Sequence, residues 1–280
     1  CLSRLAADFA QRAQDRQDKP ARQYAALRDP AQRLLRQVDT STGRIHCRLN
    51  PLGTPTGRFT CSNPALQAVP PELKQAFIAE PGHVLVEADF SQMELRVLAH
   101  FSQEPAFMAA FSGDNREVDI HRRTAALALG IAEDDVTADQ RNTIGKGINF
   151  GIIYGLTAHG LAQQLSIDVA QAEQFSAAYF AGYPAIRRRK QAVEHQVYGD
   201  LQVRTLYGRR RYLPDVWSRS KDAKQRALRQ AVNTIIQGTA ADINKLALVR
   251  LHRALPDCCR LLLTVHDSVL LEVPEDQAGP

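Results

Sequence analysis

The sequence lacks any long apolar run. No stretch of about 18 apolar residues occurs among its 280 residues, so we expect no membrane-spanning helix and no membrane partner. The first residues, CLSRLAADFAQRAQDRQDK, also lack the apolar centre of a secretion signal. They begin without Met, so we expect a fragment or a processed product of a longer chain.

Cysteine is scarce and follows no recognised spacing. The five cysteines stand at positions 1, 47, 61, 258 and 259, and no CxxC pair occurs. Cys258 and Cys259 are adjacent, which makes a disulfide between them awkward. The pattern favours reduced thiols in a reducing compartment over a disulfide-stapled scaffold.

Charge of one sign does not dominate, although the balance is basic. The net charge is +5 and the pI about 9.0, which hints at a polyanionic partner. Basic runs lie at residues 187–190, 209–211 and 219–229. A run of charge is usually a solvated face, so each run alone indicates nucleic-acid binding only weakly.

Neither internal repeats nor low-complexity segments occur, and the length allows one large domain or two smaller ones. Residues 1–40 are polar with a helical pattern, and residues 41–72 predict loops and extended chain. The remaining pattern predicts a strand at 83–89, a helix at 91–101, helices with turns at 119–200, a long helix at 223–255 and a hairpin around VHDS. Separate strands that feed long helical segments predict an α+β protein.

Two aspartates stand at predicted strand ends. Asp89 follows HVLVEA, and Asp267 lies between the apolar runs RLLLTV and VLLEV. If the two strands are neighbours in one sheet, these carboxylates converge and repel each other, which raises one pKa. Mg²⁺ relieves that repulsion, and two such ions about 3.5–4 Å apart form the clamp used in nucleotidyl transfer. The alternative is structural: both are turn or cap residues, with Asp89 and Ser91 capping the next helix.

The segment TADQRNTIGKGINFGIIYG, residues 137–155, predicts a helix with a polar and aromatic face. Thr137 with Gln140 three residues later fits a capping box. Four side chains then recur at four-residue spacing and share one face: Asn142, Lys146, Phe150 and Tyr154.

This face fits a nucleoside triphosphate. Lys146 neutralises phosphate as a point charge, Phe150 offers a platform for a sugar or base, and Tyr154 stands beside the base one turn later. The alternative is an ordinary helix with its rings in the core and its lysine outside. Three glycines, at 145, 147 and 151, cost about 1 kcal/mol each in a helix, which favours close approach by another group.

The segment RQAVNTIIQGTAAD predicts a second functional helix. Arg229, Asn233 and Gln237 recur every four residues on one face, among mostly apolar or small neighbours. Polar side chains on a buried helix require partners. Base edges in a DNA minor groove supply acceptors of this kind with little sequence preference.

Seven segments together resemble family A DNA polymerases, the bacterial DNA polymerase I type. DFSQMELRVLAH resembles motif A, KGINFGIIYG motif B, and VHDSVLLE motif C, which is usually written VHDE. TGRFTCSNPALQAVP, DIHRRTA, YGRRRYLP and NTIIQGTAADI match other blocks in the expected order. The resemblance covers residues from about 40 to 274.

The resemblance implies a role for each matched position. Asp89 and Asp267 hold two Mg²⁺ ions and, with Lys146, are the catalytic residues. Glu94 stands where the family excludes a ribose 2′-hydroxyl. The implied nucleotide-binding residues are Gln92, Glu94, His121, Arg141, Lys146, Phe150 and Tyr154. The implied primer–template contacts are Arg58, Arg229, Asn233, Gln237 and His266.

The resemblance also implies a right-hand polymerase with an antiparallel-sheet palm, largely helical fingers and a partial thumb. The expected divisions are a thumb remnant at 1–45, palm at 46–95, fingers at 96–228 and palm again at 229–280. The implied activity is template-directed DNA synthesis from dNTPs by a two-metal mechanism. We expect a monomer in the cytoplasm or nucleoid if the source is bacterial, with an organelle or virus as alternatives.

Two positions depart from the family pattern. The family has an Arg four residues before the motif B Lys, but here Asn142 holds that position and Arg141 precedes it. One extra helical residue, such as Ile144, rotates the upstream part by about 100°, so Arg141 misses the phosphate unless the helix bulges. Ser268 stands where the family has Glu. These departures, with the missing ends, leave open a diverged or truncated module that binds primer–template without catalysis.

Overall fold

The computed structural model describes residues 19–112 and 118–279, with side chains from residue 27 onward. It contains helices and antiparallel strands, which confirms the predicted α+β class. The helical pattern predicted for residues 1–18 lies outside the described residues, and a helix runs from Lys19 to Leu35. In the part described, no helix is both long and apolar enough to cross a membrane.

The chain divides into two compact units. The first contains the chain up to Phe90 and again from Lys245, and the second runs from Ser91 to Asn244. The expected palm, fingers and thumb divisions remain predictions.

An antiparallel three-stranded sheet organises the first unit. Its order is β3–β7–β6, with β3 at His83–Asp89, β6 at Arg260–Val265 and β7 at Ser268–Pro274. The VHDS hairpin joins β6 to β7 through a turn at His266 and Asp267. The central strand β7 pairs with β3 from His83↔Pro274 to Asp89↔Ser268. The predicted strand 83–89, the predicted hairpin and their pairing are therefore confirmed.

An ion network braces the opposite end of this sheet. The Glu272 carboxylate is 1% exposed and accepts from Arg44 Nη2 at 2.6 Å and from Arg260 Nη1 at 3.2 Å. Glu80 accepts from the same two arginines, at 2.7 Å each. A buried carboxylate requires such partners, because an unpaired one costs several kcal/mol.

The first unit has three further elements. They are α1 (Lys19–Leu35), the short helix α2 (Pro71–Lys74) and a ribbon of β1 (Arg48–Asn50) and β2 (Thr60–Ser62). Leu27, Ala31 and Leu34 of α1 recur at helical spacing and pack with Leu73.

The second unit is mainly helical. Its helices are α3 (Met93–Ser102), α4 (Pro105–Phe111), α5 (Ile120–Leu129), α6 (Ala138–Gln140), α7 (Lys146–Ile153), α8 (Ala158–Leu165), α9 (Val169–Gly182), α10 (Pro184–Asp200) and the start of α11 (Lys221–Ala254). Side-chain caps set several starts: Asp119 caps α5, Thr157 caps α8 and Asp168 caps α9. The core between these helices includes Phe107 and Tyr179.

A β ribbon adjoins the long helix α11 in the second unit. Strand β4 (Gln202–Arg204) pairs antiparallel with β5 (Arg210–Tyr212). Arg209 holds the ribbon to α11 through Asp242 at 2.9 Å and the Gly238 carbonyl at 2.9 Å. The predicted helix at 223–255 is confirmed, with bounds shifted to Lys221–Ala254.

Candidate active site

Asp89 and Asp267 lie at one end of the three-stranded sheet. Asp89 ends β3 opposite Ser268, and Asp267 precedes Ser268 in the turn. The Phe90 N–H donates to the Asp267 carbonyl at 3.3 Å, which ties the two segments together. His266 occupies the left-handed region with φ 57°. The register thus brings the two aspartates together, as the sequence predicted.

The electrostatics of this pair favour a cation. Burial, then the neighbouring carboxylates of Asp267 and Glu87, raise the pKa of Asp89. The alternative capping role of Asp89 is wrong, because Gln92 is the N-cap of α3 and no side chain caps that helix. Neither aspartate carboxylate has a hydrogen-bond partner within the described residues.

The donor set fits Mg²⁺ rather than a closed protein cage. Across residues 19–112 and 118–279, no group of three or more His, Cys, Asp or Glu side chains is arranged to hold a metal. Mg²⁺ is typically bound through one or two carboxylates, with waters and substrate phosphates completing its shell. Asp89 and Asp267 supply that number of carboxylates.

Glu87 is a neighbour of this pair that sequence reasoning missed. The Ser268 hydroxyl is 6% exposed and lies 2.9 Å from Glu87 Oε1 and 3.1 Å from the Val265 carbonyl. Glu87 lies two residues before Asp89, on the same face of β3. The signal was the acid–x–acid spacing in VEAD. An acid therefore adjoins Ser268, although it comes from β3 and not from motif C.

The motif B segment contains a bulge that absorbs its extra residue. The capping box of Thr137 and Gln140 is confirmed, and residues Arg141–Gly145 then form a π-helix before α7 begins at Lys146. Here the Lys146 N–H donates to the Arg141 carbonyl, an i→i+5 bond. Arg141 consequently lies one turn before Lys146. The place of Asn142 on that face, which assumed a regular α-helix, stays a prediction.

Four ionisable side chains interact around the start of α5: Asp119, His121, Arg141 and Lys146. Asp119 caps α5 by accepting from the His121 N–H at 3.0 Å, and its carboxylate forms an ion pair with Arg141. Burial, followed by the positive charges of Arg141 and Lys146, lowers the pKa of His121 to about 4, although Asp119 opposes this. His121 is therefore neutral at pH 7, beside two cations.

Asn149, a second residue that sequence reasoning missed, holds the His121 ring. It is fully buried, and its Nδ2 donates to the Gly145 carbonyl at 3.0 Å and lies 3.1 Å from His121 Nδ1. Thr124 Oγ1 lies 3.0 Å from Asn149 Nδ2 and 3.1 Å from the Tyr183 hydroxyl. The polar position between two apolar neighbours in GINFG was the only signal.

The aromatic part of the face is confirmed. The rings of Phe150 and Tyr154 are stacked, with centroids 6.3 Å apart, and the His121 ring lies 6.0 Å from Phe150. Tyr154 is 38% exposed, so its ring is not a core residue. The side chains of His121, Phe150 and Tyr154 therefore form a row of three rings.

The glycines of motif B accommodate the protein's own chain. A Cβ at Gly145 would lie 2.0 Å from the His121 carbonyl oxygen, and one at Gly147 would lie 2.5 Å from the Leu165 side chain. The close approach inferred from sequence is thus helix packing. It holds α5 against the π-helix and so keeps His121 near Lys146.

The three polar residues predicted on the second functional helix, Arg229, Asn233 and Gln237, all lie within α11. Arg229 packs against Gly155, whose φ is +67° and where a Cβ would lie 3.0 Å from the Arg229 side chain. Asn233 Oδ1 is buried and has no hydrogen-bond partner among the residues that the structure describes. Gln237 is half-buried, and Arg58 in the first unit is also half-buried. Their DNA contacts remain predictions.

Motif A places its two other predicted residues at the start of α3. Gln92 adopts a left-handed φ of 53°, and Glu94 is 6% exposed in the first turn. A buried carboxylate near a helix N-terminus is stabilised by the helix dipole. Their roles at the nucleotide remain predictions.

Comparison with known proteins gives one consistent family. The sequence profile of DNA polymerase family A matches residues 18–279. DNA polymerase I of Deinococcus radiodurans is 45% identical over 251 residues, and that of Pseudomonas aeruginosa is 41% identical over 258. The thermostable DNA polymerase I of Thermus filiformis is 42% identical over 257 residues. These alignments cover 86%, 87% and 89% of this chain, respectively.

A solved structure supports the same likeness. The polymerase domain of Pol1 from M. smegmatis, in complex with DNA primer-template and dNTP, superposes with a TM-score of 0.83 at 36% identity. The match covers 91% of this chain and 46% of that one. The chain spans only 26–30% of the length of these three curated relatives.

Proposed function

The chain belongs to DNA polymerase family A, and we propose that it performs template-directed DNA synthesis. The reaction is 5′-to-3′ nucleotidyl transfer from a dNTP to a primer 3′-hydroxyl. One observation carries this proposal: Asp89 and Asp267 converge at a sheet end with no other partner for their charge among the described residues.

We assign Asp89 and Asp267 to two Mg²⁺ ions. When bound, these ions supply charge neutralisation and a lowered pKa for the attacking hydroxyl. The carboxylates would hold the ions. Burial, followed by the neighbouring carboxylates of Asp267 and Glu87, raises the pKa of Asp89, and bound cations would favour its charged form. Ser268 positions Glu87 beside the pair through the 2.9 Å hydrogen bond.

The second unit supplies binding groups for the triphosphate. Lys146 and Arg141 neutralise phosphate charge, while His121, neutral at pH 7, donates a hydrogen bond. Phe150 packs on the sugar and Tyr154 stands beside the templating base. Gln92 and Glu94 line the nucleotide pocket, with Glu94 as the group that rejects a 2′-hydroxyl.

Five side chains contact the primer–template in this proposal: Arg58, Arg229, Asn233, Gln237 and His266. The buried Oδ1 of Asn233 has no hydrogen-bond partner in the described part of the chain, which supports a polar ligand beside α11. The dNTP and DNA in the M. smegmatis complex are the ligands that we transfer to this chain. We further propose a monomer in the bacterial cytoplasm, with palm, fingers and a partial thumb.

Primer extension with Mg²⁺ tests the assignment. Asp89→Ala and Asp267→Ala should each abolish extension, whereas Asp257→Ala, an exposed aspartate of the same unit, should retain it. Melting temperatures of all variants should be compared, so that loss of activity is not loss of fold. Equal extension by wild type and Asp89→Ala would contradict the metal assignment.

A second candidate is a module that grips primer–template without catalysis. Ser268 in motif C, where the family pattern has an acid, favours it. Primer–template binding that persists in Asp89→Ala, with no extension by wild type at any Mg²⁺ concentration, would select this alternative.

A further inference from the structure

The ribbon of β4 and β5 carries arginines on both of its faces, one toward α11 and one toward solvent. Arg209 and Arg211 bind inward, to Asp242 and to Thr234 Oγ1 at 2.9 Å each. Arg204 and Arg210 are directly opposite in the register and both exposed. Because successive side chains alternate between the faces of a strand, the outward face carries this arginine pair.

Exposed rings accompany the arginines. Tyr212 follows Arg210 on the same face and is 65% exposed, and Tyr207 in the connecting turn is 54% exposed. Trp217, in the short turn after the ribbon, is 66% exposed. All three rings fall within residues 207–217 of the chain, and large exposed aromatic side chains in one region typically mark an interaction surface.

Trp217 is held in place although it is exposed. Its Nε1 donates to the Tyr198 carbonyl at 3.1 Å, and its ring packs edge-on against the Tyr198 ring at 5.4 Å. Lys224 Nζ lies 5.1 Å from the centre of the Tyr198 ring. A fixed ring with a solvent-facing surface is pre-ordered for stacking, so a ligand loses less side-chain freedom on binding.

The local charge is strongly positive. Residues 198–229 contain nine Lys or Arg and three Asp, a net charge of +6, against +5 for the whole chain. Neither Arg204 nor Arg210 forms an ion pair within the described part of the chain. The surface therefore combines free positive charge with aromatic rings.

We propose that Arg204, Arg210, Tyr207, Tyr212 and Trp217, here called the ribbon face, form a binding surface for single-stranded DNA. Basic side chains track its phosphates, and exposed rings stack on its unpaired bases with little sequence preference. Duplex DNA fits this surface less well, because its base faces are not accessible to the rings. An acidic protein fits less well because it has no bases on which the rings could stack. The proposal rests on the proposed function in one respect: a template strand is the source of single-stranded DNA.

Fluorescence provides a local test, because Trp217 is the only tryptophan in the chain. Oligo(dT) without primer or dNTP should quench this emission in a saturable titration. Blunt duplex DNA and polyglutamate at equal charge should quench it much less. Primer extension is measured separately, so failure of synthesis leaves this result intact, and absence of quenching leaves synthesis intact.

Matched variants test the arginines and the rings. Arg204→Ala with Arg210→Ala should lower the salt slope of log K for oligo(dT) by about 1.4, since each phosphate contact contributes roughly 0.7 on single strands. Tyr212→Ala should weaken binding about tenfold. Arg187→Ala with Arg188→Ala removes the same charge from exposed positions on α10 and should leave the slope near wild type.

Several outcomes would overturn the proposal. One is oligo(dT) binding, seen by anisotropy of a labelled strand, without any change in Trp217 emission. A second is an equal loss of slope in the two arginine pairs, which would mean general charge attraction. A third is equal quenching by polyglutamate, which would assign the surface to an acidic protein.

Discussion

At the scale of single residues, motif C shows how a departure in sequence can be compensated in space. Ser268 lacks the acid of the family pattern, and the sequence alone indicates a loss of negative charge. The strand register places Glu87 within 2.9 Å of the Ser268 hydroxyl. The acid–x–acid spacing of VEAD marks Glu87 as a neighbour of Asp89, but its contact with Ser268 depends on pairing between strands about 180 residues apart.

Glu87→Ala should therefore weaken metal binding and extension. Loss of a supporting partner of a metal site typically costs about 10- to 100-fold in affinity. Mn²⁺ binding to the protein without DNA, followed by electron paramagnetic resonance, gives a measure that does not depend on activity. Extension against Mg²⁺ concentration gives a second one.

The exchanged pair, Glu87→Ser with Ser268→Glu, provides the control. It returns one carboxylate and one hydroxyl to the same contact, so it should recover most of the affinity lost in Glu87→Ala. Ser268→Glu alone places two acids face to face and should bind Mn²⁺ abnormally or fold less stably. An exchanged pair no better than Glu87→Ala would show that Glu87 has no such role.

Asn149 offers a second prediction at this scale. In the wild type its Nδ2 lies 3.1 Å from His121 Nδ1, and we predict that this amide donates there and leaves the proton of the neutral ring on Nε2. Asn149→Asp replaces that donor with an acceptor of the same shape. The change should raise the pKa of His121 and move a proton to Nδ1, as measured by ¹⁵N NMR of the imidazole.

The matched control is Asn142→Asp, which adds the same charge at an exposed neighbour of Arg141. It does not touch the imidazole, so the protonated nitrogen should not change, although the pKa can rise slightly. Identical ¹⁵N spectra of His121 in wild type and Asn149→Asp would contradict the proposed hydrogen bond.

At the scale of elements, the sequence predicts regular helices and strands directly, whereas it supports the pairing of strands only as a supposition that the structure then confirms. The strand at 83–89 and the helix at 223–255 follow from local periodicity, and the structure confirms both. The order β3–β7–β6 follows from contacts between distant segments, so the sequence supported it only as a supposition. The sequence left two outcomes open at Arg141–Gly145, because an inserted residue either rotates the upstream part of a helix or forms a bulge. The structure has the bulge, a π-helix.

The π-helix gives a prediction about helix register. Deletion of exposed Thr143 should convert the segment to α-helix and keep Arg141 one turn before Lys146. The KM for dNTP should stay within about twofold of wild type, and the melting temperature should rise, since π-turns are rarely favoured. Steady-state extension and thermal unfolding measure these values.

Insertion of one Ala after Thr143 is the opposite change. It should rotate Arg141 by about 100° from the Lys146 face. The KM for dNTP should then rise about 10-fold or more, as in Arg141→Ala, because a hydrogen bond to a charged group contributes about 1.5–3 kcal/mol. An insertion that leaves KM unchanged would mean that Arg141 does not contact the nucleotide.

At the scale of the whole molecule, buried and paired ionisable groups determine the response to acid. Hydrogen bonds from Arg44 and Arg260 lower the pKa of Glu80. The pKa values of Asp119 and Glu272 are also lowered, because hydrogen bonds from Arg141 and Arg44 outweigh burial. Such carboxylates stabilise the fold above their unfolded pKa, and that stability is lost as the pH falls through the folded value. Asp89, whose pKa is raised, contributes in the opposite direction.

His121 extends this acid sensitivity toward neutral pH. Its pKa is about 4 in the folded protein against 6.5 for an ordinary imidazole, so the unfolded chain takes up its proton first. Stability rises with pH wherever the unfolded state binds more protons. The melting temperature should therefore start to fall below pH 6.5 and fall further as the carboxylates protonate. In calorimetry, the melting temperature of His121→Gln should change less between pH 6.5 and 5 than that of the wild type, even if it is lower throughout. Parallel curves for the two proteins would mean that His121 is not buried as a neutral ring.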